Sequence, residues 1–75
     1  MNAAAAIHAA LGVKAIESAA LVGERSGVWS LYRNGKKSPT EAKVAGWLKR
    51  LLERGVAIAL LRTAGDCSAK VLPST

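Results

Sequence analysis

The fold is decided by the stretch GERSGVWSLYRNGKKSPTE, residues 23–41. It opens on Gly23, continues through a mixed apolar segment and reaches the dipeptide Asn34-Gly35, in which both residue types tolerate positive φ. A short helix is expected before Gly23, over residues 14–22, and another after it, over residues 26–33. The sequence therefore predicts two short helices joined by a tight turn at Gly23.

The packing of such a helix pair makes demands that these residues meet. Ala19, four residues before Gly23, lets the two helices approach closely, and Val22 can pack inward. On the second helix Trp29 and Tyr32 lie three positions apart, so both are expected to face the core. The other side of this helix is then left free.

The remaining chain adds a helix before this pair, a helix after it and a tail. Asn2 can cap a helix in the alanine-rich run that Gly12 ends. Residues 38–41, Ser-Pro-Thr-Glu, are typical of a capping box with Ser38 at the N-cap, and the helix behind it is expected to end at Gly55. The tail is expected to form a short β-hairpin or an extended arm, with a helix over residues 56–64 as the main alternative.

Helical spacing also assigns side chains to the interior. The inner side of the second helix is expected to carry Ile16, Ala19 and Ala20. The fourth helix has an apolar stripe at helical spacing, with Trp47 at its edge. The residues of that stripe are Val44, Ala45, Leu48, Leu51 and Leu52.

Length and composition limit the other possibilities. A chain of 75 residues forms one domain at most, and burial of only about 60% of the unfolded surface makes its core marginal. The single Cys67 cannot form an internal disulfide to stabilise this core, so a homodimer is expected to stabilise it instead. A lone thiol also fits a reducing cytoplasm. The N-terminus lacks a positive leader and no apolar run approaches the ~18 residues of a membrane span. Neither secretion nor a membrane partner is expected.

The charge is uneven. The formal net charge is +6, and residues 25–54 alone hold eight basic and two acidic side chains. Such a local excess is typical of a polyanion partner, with a merely solvated surface as the alternative. One histidine, one cysteine and five scattered carboxylates form no acid/base pair, so no enzyme, metal, cofactor or small-molecule ligand is expected. His8 is expected to be hydrogen-bonded or exposed.

Residues 7–54 resemble the Cro/lambda-repressor-like helix-turn-helix family, also called the XRE family. Its members commonly show an alanine, a glycine four residues later, and an Asn-Gly-x-x-x-Pro ending after the recognition helix. Here these are Ala19, Gly23 and residues 34–39. The resemblance implies a mainly α, four-helix lambda-repressor-like DNA-binding domain over residues 1–55. Residues 56–75 would then form a C-terminal dimerisation tail with a short β-hairpin or extended arm.

Three residues depart from the family pattern. Ser18 and Glu24 stand where apolar residues are usual, and Lys14 stands near the N-cap of the second helix, where Ser or Thr is usual. These departures concern the packing of the second helix.

The resemblance also implies which residues contact DNA, because the second helix of the motif enters the major groove N-terminus first. Base contacts are expected from Arg25, Ser26, Gly27 and Ser30. Phosphate contacts are expected from Lys14, Arg33, Asn34, Lys36, Lys37 and Ser38. Val28 and Leu31 flank the free side and either touch DNA or belong to the core.

Size and resemblance together imply a sequence-specific regulator of double-stranded DNA: a dimeric repressor or autorepressor of phage or mobile-element origin that occupies a palindromic operator. Val56, Ile58, Leu60 and Val71 are expected to meet across the dimer axis, unless this run covers the chain's own core. A second class of function is a small protein-binding inhibitor or antitoxin that blocks a partner. A third is nonspecific DNA packing.

Overall fold

The structure is a computed structural model that describes residues 1–73, so Ser74 and Thr75 of the predicted dimerisation tail lie outside the described residues. Four helices precede one antiparallel hairpin. The elements are α1 (Ala3–Leu11), α2 (Ala15–Val22), α3 (Ser26–Arg33), α4 (Glu41–Glu53), β1 (Ile58–Thr63) and β2 (Asp66–Val71). The mainly α fold with a C-terminal hairpin is therefore confirmed, and the alternative helix over residues 56–64 is wrong.

The ends of the helices follow from local chemistry. Asn2 caps α1 by accepting a hydrogen bond from the amide of Ala5 at 2.9 Å, and its own amide donates to the carbonyl of Arg33 at 3.1 Å. At the end of α3, Gly35 takes a φ of 74° and the amide of Lys36 donates to the carbonyl of Leu31 at 2.9 Å. This closing motif needs a left-handed residue, which glycine supplies without steric cost.

The predicted capping box at the start of α4 is wrong. Thr40 is the N-cap, and its Oγ1 accepts a hydrogen bond from the amide of Lys43 at 3.1 Å. Ser38 lies two residues before this cap, outside the helix. The segment contains two hydroxyl residues able to cap, and in the structure the helix begins two residues later than predicted, behind Thr40. Glu41, now the first helical residue, pairs instead with Arg62 of β1.

The core is built around the two tryptophans. Trp29 and Trp47 meet edge to face with ring centroids 4.9 Å apart, and the ring of Tyr32 lies 5.1 Å from that of Trp47. Ile7 and Leu51 are fully buried beside them. The predicted burial of Trp29 and Tyr32 is confirmed, whereas the expected place of Trp47 at the edge of the stripe is wrong because its indole is 2% exposed.

The inner side of α2 is turned relative to the prediction. Ser18, Ala19 and Val22 face the core, whereas Ile16 is 68% exposed and Ala20 is exposed. The prediction was wrong for Ile16 and Ala20. It placed apolar residues on the inner side of α2, whereas the polar residue Ser18 is the one that is buried there.

In α4 the large indole sets the buried side. Val44, Trp47 and Leu51 are buried at helical spacing. Leu48 is partly buried, but Ala45 is exposed and Leu52 is 62% exposed, so the last two were wrongly placed in the core.

The hairpin packs against α1. Its register pairs Ile58 with Val71 and Arg62 with Cys67, so Ile58, Leu60 and Cys67 share one face. These three side chains are partly buried against the core, and the amide of Cys67 donates to the carbonyl of Met1 at 2.8 Å. Within residues 1–73 no single helix has the length and apolar character to cross a membrane. Only α1 and α2 taken together pass that test, and a bend of 111° separates them.

Candidate nucleic-acid interface

The candidate interface centres on the side of α3 that points away from the core. Trp29 and Tyr32 bury the opposite side, with exposures of 0% and 5%. Ser26 and Gly27 are exposed and Ser30 is half-buried. Arg25, the N-cap residue, is exposed and makes no capping hydrogen bond through its side chain. The four residues expected to touch bases therefore lie together on or next to the free side of α3.

The two apolar residues left open by the sequence divide between core and surface. Val28 is partly buried and packs against the core. Leu31 is 41% exposed, on the same side of α3 as Gly27 and one turn later. Leu31 therefore belongs to the free side.

A hydrogen-bond network on Ser18 holds α3 from behind. The hydroxyl oxygen of this fully buried serine lies 2.8 Å from Trp29 Nε1, 2.7 Å from His8 Nδ1 and 3.1 Å from the carbonyl of Ala15. A serine hydroxyl offers one donor and two acceptor sites. All three contacts are satisfied when it accepts from Trp29 and His8 and donates to Ala15. In this arrangement a neutral His8 carries its proton on Nδ1.

His8 is thus hydrogen-bonded, as the sequence led us to expect. Burial, with a smaller effect of the Arg33 guanidinium, lowers the pKa of His8 below its usual 6.5. The role of Ser18 was not foreseen. The available signal was the tryptophan itself, because a buried indole N–H needs an acceptor.

A second buried tryptophan N–H, that of Trp47, is bonded at the turn between α2 and α3. Glu24 Oε2 accepts a hydrogen bond from Trp47 Nε1 at 2.8 Å and lies 3.2 Å from the ammonium group of Lys43. Gly23 beside it has a φ of 78°, and the side chain of Arg50 covers its α-carbon so closely that a Cβ there would lie 2.6 Å from Cδ of Arg50. The turn is therefore held by α4 from two directions.

The cations expected to contact phosphate are largely free. Lys14, Lys36 and Lys37 are all exposed, as is Arg25, which is expected to contact a base. No carboxylate within residues 1–73 forms an ion pair with any of these four. The ammonium group of Lys37 lies 5.6 Å from the centroid of the Tyr32 ring. Three of the carboxylates are engaged elsewhere. They are Glu24 with Lys43, Glu41 with Arg62, and Asp66 with the amino group of Met1.

The other three residues expected to contact phosphate differ in their surroundings. Asn34 is exposed and donates through Nδ2 to the hydroxyl of Ser30 at 3.1 Å. Ser38 is exposed in the loop before Thr40. Arg33 is half-buried and close enough to His8 to lower the pKa of that histidine, and its Nε is buried without a hydrogen-bond partner among the described residues. Arg33 thus lies towards α1, apart from the exposed lysines.

The residues expected at a dimer interface are also unequal. Val56, Ile58 and Leu60 pack in part against the chain's own core, whereas Val71 is 43% exposed. Near Val71 the hairpin also exposes Leu72, which is 44% accessible to solvent. The free apolar surface of the tail therefore has two parts: Val71 and Leu72 at the open end of the hairpin, and Leu61, which is 60% exposed on the outward face of β1.

The surroundings of α3 combine a buried aromatic side, a free side of small polar residues with one leucine, and exposed cations at its start and beyond its end. Among the described residues no three histidine, cysteine, aspartate or glutamate side chains lie close enough together to hold a metal ion. Comparison with family models, with curated proteins and with solved structures found no match to this chain.

Proposed function

We propose that this protein is a small sequence-specific DNA-binding regulator that represses transcription by occupying its operator. In this proposal α2 and α3 are a helix-turn-helix, and α3 enters the major groove N-terminus first. One observation carries the proposal. Trp29 and Tyr32 fix α3 from the core side, while Arg25, Ser26 and Gly27 remain exposed at its leading end.

The exposed groups suit the two kinds of DNA contact. The guanidinium of Arg25 can bond O6 and N7 of one guanine together, which discriminates against a wrong base by about 1–3 kcal/mol. Lys36 and Lys37 follow α3 on flexible stems, and such ammonium groups suit phosphate. These cations give affinity without sequence preference, whereas the α3 side chains give specificity.

Two copies are part of the proposal, because one short helix makes few base contacts. A twofold dimer would present two α3 helices about 34 Å apart, on successive major grooves. The exposed Val71 and Leu72 at the open end of the hairpin support this contact. Val71→Lys is expected to shift the protein to monomers in analytical ultracentrifugation. Ile16→Lys, the same kind of change at an exposed apolar residue on α2, should leave the dimer intact.

The experiment that tests the function is selection of bound duplexes from a random pool. A palindromic consensus is the expected result. Equal affinity for all duplexes would favour nonspecific packing, and no retained duplex would leave the protein-binding inhibitor or antitoxin as the better proposal.

Two sets of variants then separate specificity from charge. Arg25→Ala should relax the preference at one base pair of each half-site. Replacing Lys36 and Lys37 by glutamine should weaken binding to every duplex alike and reduce the slope of log K against log salt by about 0.9 for each lost phosphate contact. Lys70→Gln, on the outward face of the hairpin, is the control. A salt slope unchanged from wild type after both lysines are removed would contradict their role.

A further inference from the structure

Gly27 on the free side of α3 is not required by the fold. Its φ is not positive, so its backbone conformation suits any residue. A Cβ built at Gly27 meets no atom within 4 Å, so packing does not exclude a side chain either. Glycine destabilises a helix relative to alanine. Gly27 therefore leaves open space on the exposed side of α3, where any other residue would carry a side chain.

Leu31 borders the same open space. It follows Gly27 by one helical turn and is 41% exposed. Helical side chains lean towards the helix N-terminus, so the isobutyl group of Leu31 leans towards Gly27. Since no atom comes within 4 Å of the Cβ position of Gly27, a further methyl-sized group fits there. We call this space, bounded by Gly27 and Leu31, the α3 recess.

The residues around the α3 recess indicate which kind of group would bind there. Gly46 of α4 also has open space at its Cβ position, but the residue one turn later is the cation Arg50, so glycine alone does not mark a recess of this kind. At the α3 recess an apolar wall lies between Arg25 on one side and Lys36 and Lys37 on the other. The matching molecule is apolar at one point and negatively charged on both sides. The major groove of DNA offers this where a thymine presents its C5-methyl group.

We infer that the α3 recess receives the C5-methyl group of one thymine in each half-site, with Leu31 packed against it. The inference rests on the proposed function. It means that one base pair is recognised by an apolar contact, in addition to any guanine bonded by Arg25. Leu31 and Gly27 are then specificity-determining residues.

The test replaces single thymines of the selected duplex by deoxyuridine, which removes the C5-methyl group and keeps the base pair. At one position in each half-site the affinity of the wild-type protein should fall about fourfold, which corresponds to about 0.8 kcal/mol for burial of one methyl group. Deoxyuridine at the other thymines should have little effect.

Two variants identify the residues that read the methyl group. Gly27→Ala adds a methyl group on the protein side of the recess, so this variant should prefer deoxyuridine to thymine at the same position. Leu31→Ala removes the apolar wall and should bind both duplexes equally. The controls are Gly46→Ala and Leu52→Ala, at an open glycine and an exposed leucine of α4, which should keep the fourfold preference for thymine. Each preference is a ratio measured on one preparation, so partial unfolding of a variant cancels.

The outcomes distinguish this inference from the proposed function. If a specific duplex is bound but no thymine is sensitive to loss of its methyl group, the inference is overturned and the regulator function stands. If a thymine is sensitive but Gly27→Ala and Leu31→Ala behave as wild type, the methyl group is read elsewhere and the inference is again overturned. If no duplex is selected, both fail.

Discussion

Replacing Ser18 by alanine should destabilise the protein strongly although it removes a single oxygen atom. That oxygen is the acceptor for the indole N–H of Trp29 at 2.8 Å, and both residues are fully buried. No other acceptor for this N–H is present among the described residues, so alanine leaves a buried donor unsatisfied. Such a group costs about 1–3 kcal/mol. His8 is only partly buried and can turn to water, so its lost bond adds little.

The expected loss is a large share of the total stability. At about 0.05–0.15 kcal/mol per residue, a chain of 75 residues has a free energy of unfolding of about 4–11 kcal/mol. A loss of about 2 kcal/mol lowers the Tm of a domain of this size by about 8–16 °C. With an m-value near 1 kcal/mol/M in urea, the unfolding midpoint falls by about 2 M.

Urea unfolding at pH 7.5, followed by circular dichroism and by tryptophan fluorescence, measures this loss. Ser30→Ala is the matched control, because it removes an exposed hydrogen bond to Asn34 and should cost less than about 0.5 kcal/mol. A double-mutant cycle with Trp29→Phe should return a coupling energy of about 1–2 kcal/mol, since phenylalanine has no N–H to leave unpaired. A Ser18→Ala variant as stable as Ser30→Ala, with no coupling in the cycle, would refute the reasoning.

Three further changes test other contacts. Gly23→Ala should destabilise the protein by about 1–2 kcal/mol in urea unfolding, because alanine is strained at a φ of 78°; a stability equal to wild type would contradict the assigned turn. The pKa of His8 is lowered below 6.5 by burial and by Arg33, so the unfolded chain binds more protons just below pH 6.5 and the free energy of unfolding should decrease as the pH falls from 7.5 through 6.5. His8→Gln should remove that part of the pH dependence, and an identical slope in both proteins would exclude His8 as its source. Glu24→Ala leaves the N–H of Trp47 without its acceptor and should lower the thermal midpoint by several degrees, whereas Glu24→Gln, which keeps a side-chain oxygen, should recover most of the loss.

The sequence predicted the elements well because their ends depend on single residues. Asn2 and Gly12 bound α1, and the predicted range of α3 agrees with the structure. The start of α4 was misplaced because Ser38 and Thr40 offer the same hydroxyl group, and only the path of the chain decides between them. The inward sides of α2 and α4 were misjudged for a different reason. Hydrophobicity alone did not reveal that a serine would be buried while isoleucine and leucine were exposed.

The sequence predicted the free side of α3 but not the hydrogen bonds that hold α3 from behind, because helical periodicity is a local signal and those hydrogen bonds are not local. Alternation of apolar and polar residues along one helix is a local signal, and it separates Trp29 and Tyr32 from Ser26 and Gly27. The support depends on pairs distant in sequence, such as His8 with Ser18 at a separation of ten residues. No helical period reports such pairs.

The two tryptophans explain why polar residues occupy positions where apolar ones were expected. Each indole is buried, and each indole N–H donates a hydrogen bond to a side-chain oxygen: Trp29 to Ser18, and Trp47 to Glu24. An apolar side chain at either position would leave an indole N–H without a partner, at a cost greater than the apolar contact would return. The acceptors lie in α2 and just after its closing glycine, so they join α3 and α4 to the same short segment. The orientation of α3, and with it the surface proposed to meet DNA, therefore depends on two hydrogen bonds as well as on the packing of the aromatic rings.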